Sequence, residues 1–179
     1  MTVRVVVVGS LNYDITTWIP RRPQLDETIH GSRVEEYAGG KGANQAVAAA
    51  RLKAEVTMVG CVGRDGRGNF LLAELDAAGI NRAHVSKVNT STGLALITVD
   101  PEDVSIVVVA GANGELDRER VEAAATEIAS ADVLLLQGEV AAEAARTAAV
   151  LAAASSTLVV FNPAPFNEVA SQVLPLADV

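Results

Sequence analysis

Sulfur, aromatic rings and positive charge are all scarce in this chain, and each shortage removes a class of function. The single cysteine, Cys61, has no partner for an internal disulfide, and a thiol inside an apolar run is core material. There is no cluster of His and Cys, so the sequence offers no candidate metal site. Fourteen Lys and Arg stand against 22 Asp and Glu, giving a net charge of −8 with no block of five like charges. An acidic surface repels polyphosphate backbones and argues against nucleic acid as a partner, while a local positive site still leaves room for a small phosphorylated ligand. No apolar run approaches membrane-spanning length, and the opening "MTVRVVVVG" reads as a strand rather than a signal peptide. The expectation is a soluble, cytoplasmic protein with no membrane partner.

The 179 residues, half of them hydrophobic and a fifth charged, suit one globular domain with a sizeable core. Four short runs, residues 3–9, 55–63, 132–138 and 157–163, are rich in Val, Leu or Ile without polar alternation, as strands buried on both faces of a parallel sheet are. Helical patterns over 43–53, 67–78, 117–130 and 140–154 lie between most of them. Strands alternating with helices predict an α/β fold with a doubly wound, mostly parallel sheet and helices on both faces.

Two regions break that rhythm. Residues 14–38 and 92–109 read as hairpin-forming strands, the second turning at Asp100-Pro101-Glu102-Asp103. In "GLALITV" both alternating faces are apolar, with Leu94 and Leu96 on one side and Ala95, Ile97 and Val99 on the other. A small sheet buried on both faces needs two covers, the main domain with its ligand and a partner subunit. These regions therefore predict a separate β-sheet lid. The last residues, "SQVLPLADV", show no closing helix and read as a strand about to begin, as in natural fraying or a truncated chain.

In open parallel α/β sheets, ligands bind beyond the carboxyl ends of the strands. Those ends carry Gly9, Ser10, Asn12 and Asp14, then Gln137, Gly138 and Glu139, then Asn162, Pro163 and Ala164. Carboxylates and carboxamides without a His or Cys cluster suit a ligand rich in hydroxyls, because a carboxylate accepts two hydrogen bonds from a vicinal diol. Taken singly, each of these residues is a turn or a helix cap; their shared location makes them a site.

The loop Gly39-Gly40-Lys41-Gly42 opens the helix of 43–53. It lacks the G-x-x-x-x-G-K-[ST] spacing, with Ala43 where a metal-binding hydroxyl belongs, and it is not G-x-G-x-x-G after a strand. Lys41 and Asn44 sit where helix N–H groups and the dipole favour oxygen-rich or anionic ligands, and bare Gly39 and Gly40 would let a ligand lie on the backbone. The second glycine-rich turn, "GCVGRDGRGN" (60–69), reads as structural, with Asp65 capping the helix that starts near Arg67.

The segments "VVVVGSLNYDIT", "GGKGANQAVAAARL", "VGRDGRGN", "STGLALITVD", "AGANGEL" and "FNPAP" fall in the order seen in ribokinases of the PfkB sugar-kinase family, a resemblance that runs over residues 3–179. The G-G-K-G-A-N-Q-A block is specific to ribokinase-like members; the shorter segments are shared with fructokinase and nucleoside-kinase relatives. The resemblance implies phosphorylation of the ribose 5-hydroxyl by ATP. It assigns sugar contacts to Asn12, Asp14, Gly39, Gly40, Lys41, Asn44 and Glu139. Lid contacts from Leu96 and Val107 would tune the choice among ribose, fructose, a nucleoside or another furanose. It further implies a homodimer clasped through the lid. ATP, Mg2+ and K+ as a candidate monovalent ion would be held mainly by a C-terminal half, together with the general-base Asp of a G-A-G-D motif. That motif is not found in residues 1–179. The expectation is an N-terminal, sugar-binding portion, inactive alone or serving as a sugar-binding and dimerisation module.

Overall fold

The computed structural model describes residues 2–179. Two sheets organise the chain. The larger has five strands in the order β5-β4-β1-β8-β9, comprising β1 (Arg4–Val8), β4 (Glu55–Gly63), β5 (Asn81–Val88), β8 (Val133–Gln137) and β9 (Leu158–Asn162), every pairing parallel. Alternation along β1 sends its side chains to two separate cores. Val5 and Val7 pack with Ala43 and Ala46 of α1 (Lys41–Arg51) and with Leu71 and Leu75 of α2 (Gly66–Ala77). Val6 and Val8 pack toward α3 (Arg118–Glu122), α4 (Ala125–Ser130), α5 (Ala142–Ala153) and α6 (Glu168–Val173), through Val121, Ile128, Ala148 and Val173. Each of these fully buried valines contributes on the order of 1.5–3 kcal/mol, which explains a run with no polar alternation.

The smaller sheet, ordered β3-β2-β6-β7, is the lid that the two irregular regions predict. The segments β2 (Asn12–Trp18) and β3 (Arg33–Gly39) form one antiparallel pair, β6 (Gly93–Val99) and β7 (Val104–Val109) the other, and β2 joins β6 in parallel. Asp100 closes the β6–β7 turn by accepting from the N–H groups of Glu102 and Asp103. Apolar residues of β7 stand exposed, Val107 at 61%.

Three elements differ from the sequence expectation. Strand β5 was not expected: "NRAHVSKV" mixes polar and apolar residues irregularly because it lies at a sheet edge, without the double-sided burial that marks the central strands. The helix expected over 117–130 is two helices, α3 and α4, broken at Ala123 and Ala124 without a Gly or Pro to mark the break. The end of the chain does carry a helix: Asn167 caps α6 by accepting from Val169 N–H at 3.0 Å, and Val169, Ala170 and Val173 are buried beside α5. Beyond a 3-10 turn at Leu174–Leu176, Asp178 N–H and Val179 O bond to Val159 and Phe161 of β9, so the strand-like reading of the last residues matches their hydrogen bonding.

Candidate functional site

From β1 the chain runs outward to β4 and β5 on one side and later to β8 and β9 on the other, so the strand order reverses between β1 and β8. A crevice at the carboxyl ends of such strands is where open α/β sheets hold ligands. Both strand ends and the start of α1 meet there. Glu139, just past β8, has a side chain only 12% exposed. Its Oε2 accepts from Ser10 Oγ at 2.5 Å and from Lys41 N–H at 3.0 Å, while Oε1 lies 3.1 Å from Lys41 Nζ. Ser10 in turn accepts from Gly42 N–H through Oγ at 3.3 Å and from Ala43 N–H through its carbonyl at 3.0 Å.

The first three N–H groups of α1 are thus satisfied by the protein itself, with a carboxylate at the positive end of the helix dipole. They are not open to phosphate, nor to a sugar. The glycines also have a different reason from the one expected. Gly40 caps α1 at φ 91, and a Cβ there would lie 2.8 Å from both Asn12 N and Ser10 O. A Cβ on Gly42 would lie 2.6 Å from Ser10 N, and one on Gly39 would occupy the space of the Asp14 carboxylate. These positions are bare because protein, not ligand, presses against them. Asp65 caps α2 as expected, accepting from Gly68 N–H at 2.7 Å, and additionally anchors the root of the lid by accepting from Thr92 N–H and Oγ1.

Above the capped helix, β2 presents Asn12 and Asp14 on one face. Asp14 is half-buried, and its Oδ1 is enclosed with no hydrogen-bond partner among the described residues. Burial pushes its carboxyl up to about 6; the negative charge of Glu139 adds to this, and Lys41 opposes it. Asn12 is buried, with Oδ1 taken by Asn113 Nδ2 at 2.7 Å. A cavity of about 360 Å³ opens beside these groups, lined by Asn12, Val108, Asn113, Gly138, Glu139 and Pro165 among others. That volume sits at the small end of the range for small-molecule sites.

Asn12 and Glu139 therefore line this cavity, while Lys41 is paired with Glu139 and Asp14 lies within electrostatic reach of both, with Gly39 packed against the Asp14 carboxylate. Asn44 is exposed and lines a neighbouring groove with Tyr37, Ala38 and Val47 rather than this cavity. The lid residues that share a face with Asp14 are offset by one from Leu96 and Val107. Cross-strand partners share a face, and Asp14 is paired with Ala95, which is paired with Val108. Leu96 and Val107, paired with each other and with Ile15, lie on the opposite face of the lid. Asn162 is exposed, and Gln137 is fully buried, its Nε2 donating to Gln45 of α1 at 2.5 Å. One residue lining the cavity escaped the sequence reading: Asn113, inside "AGANGEL", had no strand end to mark it, whereas Ser10 was named in the strand-end group without a role of its own.

The description "pfkB family carbohydrate kinase" matches residues 3–179. Ribokinase of Haemophilus influenzae is 37% identical over 175 residues, covering 97% of this chain and 57% of that protein. Deoxyribokinase of Salmonella typhi is 36% identical over 163 residues, covering 90% and 53% respectively. Among solved structures, ribokinase from Giardia lamblia superposes with a TM-score of 0.90 at 30% identity, over 99% of this chain and 56% of that one. Arabidopsis thaliana ribokinase, solved with ribose and ATP, gives 0.77 at 33% identity over 90% and 53%. The chain spans little more than half the length of these relatives.

Proposed function

We propose, from the premise that the chain belongs to the pfkB family of carbohydrate kinases, that it forms the sugar-binding portion of a ribokinase, which phosphorylates the 5-hydroxyl of ribose at the expense of ATP. The observation that carries this reading is the half-buried Asp14 carboxylate, whose Oδ1 has no hydrogen-bond partner among the described residues, two residues from a carboxamide whose Nδ2 has none among them either. A desolvated carboxylate lacking donors is costly until hydroxyl groups supply them. A vicinal diol does so, giving protons to Asp14 and accepting from Asn12, with each charge-assisted bond worth about 1.5–3 kcal/mol. Lys41 and Glu139 add a donor and an acceptor at the other wall, held in place by their mutual ion pair. In this reading Ala95 and Val108 form the apolar roof, and Asn44 joins only by way of its neighbouring groove.

The residues present do not fit a nucleotide–magnesium site. The N–H groups at the start of α1 are occupied by Ser10 and Glu139. Among the described residues no group of three His, Cys, Asp or Glu is arranged around a metal position. We assign ATP, Mg2+, K+ and the general base to the length of the relatives that this chain does not span, and a cytoplasmic setting accompanies that use of ATP. The exposed face of the lid around Ile15, Leu96 and Val107 is the surface we assign to a second copy of the chain. The deoxyribokinase relative supports a second reading, in which the sugar is another furanose. Calorimetry of the 179-residue chain with ribose tests the cup; undetectable heat at millimolar sugar removes it. A coupled ATP assay on a form extended by the relatives' remaining length tests the reaction, and no turnover with any pentose or hexose removes the kinase assignment.

A further inference from the structure

The geometry points to Asn113 as a positioning residue that fixes which end of the Asn12 carboxamide faces the sugar; the inference rests on the sugar-binding reading of the crevice. Asn113 is buried in the 3-10 turn Gly111–Glu115 that follows β7. A carboxamide has one accepting and one donating end, and only an unambiguous partner settles its direction. Leu11 N–H is such a partner. It can only donate, so the atom 2.8 Å away is Asn113 Oδ1.

Asn113 Nδ2 then lies on the other side, 3.2 Å from Leu11 O and 2.7 Å from Asn12. Both of its neighbours must accept, so the Asn12 atom that meets it is Oδ1. The Nδ2 of Asn12 is left without a protein partner among the described residues, on a residue that lines the cavity. One backbone N–H thereby dictates, through two carboxamides in series, that position 12 offers donors to the site rather than an acceptor. The arrangement has been given room: a Cβ on Gly93, the first residue of β6, would strike both Asn113 Nδ2 and Asn12 Oδ1.

The consequence is one of polarity. A donor at position 12 beside the acceptor at position 14 selects a hydroxyl group that accepts from one and donates to the other. In Asn113→Asp, one carboxylate oxygen still receives Leu11 N–H, but the other faces Leu11 O and Asn12 Oδ1. Repulsion turns the Asn12 carboxamide over, so that Nδ2 points inward and an acceptor faces the acceptor of Asp14.

Hydrogen exchange of the side-chain amides, followed by NMR on the 179-residue chain without ligand, reads this directly. The Asn12 amide protons are expected to exchange about tenfold more slowly in Asn113→Asp than in the wild type. Equal exchange in the two, or faster exchange in the variant, overturns the inference. Titration with ribose and with pentoses deoxygenated at each position in turn supplies the second readout. Asn113→Asp is expected to weaken ribose about tenfold and to shrink its advantage over one particular deoxy sugar. An equal loss for every sugar would mean a merely structural anchor and overturns it too. Should Asn113→Asp not fold, Asn12→Asp, which keeps its bond to Asn113 but presents oxygen to the cavity, is expected to show the same selective loss, and its absence overturns the proposal. If the wild-type chain binds no sugar, it is the reading of the crevice that fails, while the exchange result still decides whether Asn113 orients Asn12.

Discussion

Asp14→Asn is expected to make the chain more stable and less able to hold a sugar. Its carboxyl is raised from 3.8 to about 6, chiefly by burial and then by Glu139, against the pull of Lys41. At about 1.36 kcal/mol per pH unit, a shift of roughly two units is worth about 3 kcal/mol. Asp14 is only half-buried, so screening by solvent reduces this to about 1.5 kcal/mol. The folded chain holds this proton more tightly than the unfolded one. Stability is therefore fullest below about pH 4 and declines as the pH rises through about 6. A carboxamide has no such proton to lose. The variant should match the wild type near pH 4 and exceed it by about 1.5 kcal/mol above about pH 7, or about 3–6 °C in Tm for a chain of this length. Urea titrations at about pH 4.5, 6 and 7.5 give the stabilities, and calorimetry with ribose gives the binding. Loss of one charge-assisted bond of about 1.5–3 kcal/mol lowers the affinity by about ten- to a hundredfold. A variant less stable than the wild type at about pH 7.5, or a difference that does not change with pH, refutes the burial argument. Undiminished affinity refutes the sugar contact.

Gly40→Ala places a Cβ 2.8 Å from two backbone atoms at φ 91, and should cost about 2 kcal/mol or more in urea unfolding, with no flexible side chain able to give way. Val107→Ser and Val108→Ser separate the two faces of the lid. The first should weaken self-association in sedimentation velocity while sparing ribose affinity, and the second should lower ribose affinity about threefold or more; the reverse pattern would contradict the strand register.

The main sheet was legible wherever both faces are covered, because double-sided burial excludes polar residues. Val5 to Val8 feed two cores in alternation, and the sequence there has no freedom to vary. β5 escaped for the converse reason: an edge strand with half-exposed positions admits Asn81, His84 and Lys87, and its composition matches that of a loop. α6 escaped because it is short, and its start is marked by a single capping Asn167 rather than by a long periodic stripe. Interruption of the helix at Ala123 and Ala124 leaves Val121, Ala124 and Ile128 all buried on one side, so the apolar spacing looks continuous across the break.

The site divides along the same physical line. Asp14 and Glu139 stand out in the sequence because few polar residues follow the strands of a parallel sheet, Glu139 just past β8 and Asp14 a few residues past β1. What each residue touches there depends on distances that no linear pattern carries. The glycine loop looked like a cradle for a ligand, and from the sequence a glycine bare for ligand access is identical to one bare because Ser10 or Asp14 presses against it. The lid residues expected to face the site are offset by a single residue from those that share a face with Asp14, for a related reason. Side chains on a strand alternate with period two, so "LALIT" and "SIVVV", apolar on both faces, fit either register equally well. Only pairing with β2 breaks the tie: Asp14 lies beside Ala95 and through it Val108, which places those two on the face of the proposed sugar site. On the opposite face, Leu96 and Val107 leave apolar surface exposed. For that reason the same alternation that sets which lid residues share a face with Asp14 also sets the face proposed to dock a second copy.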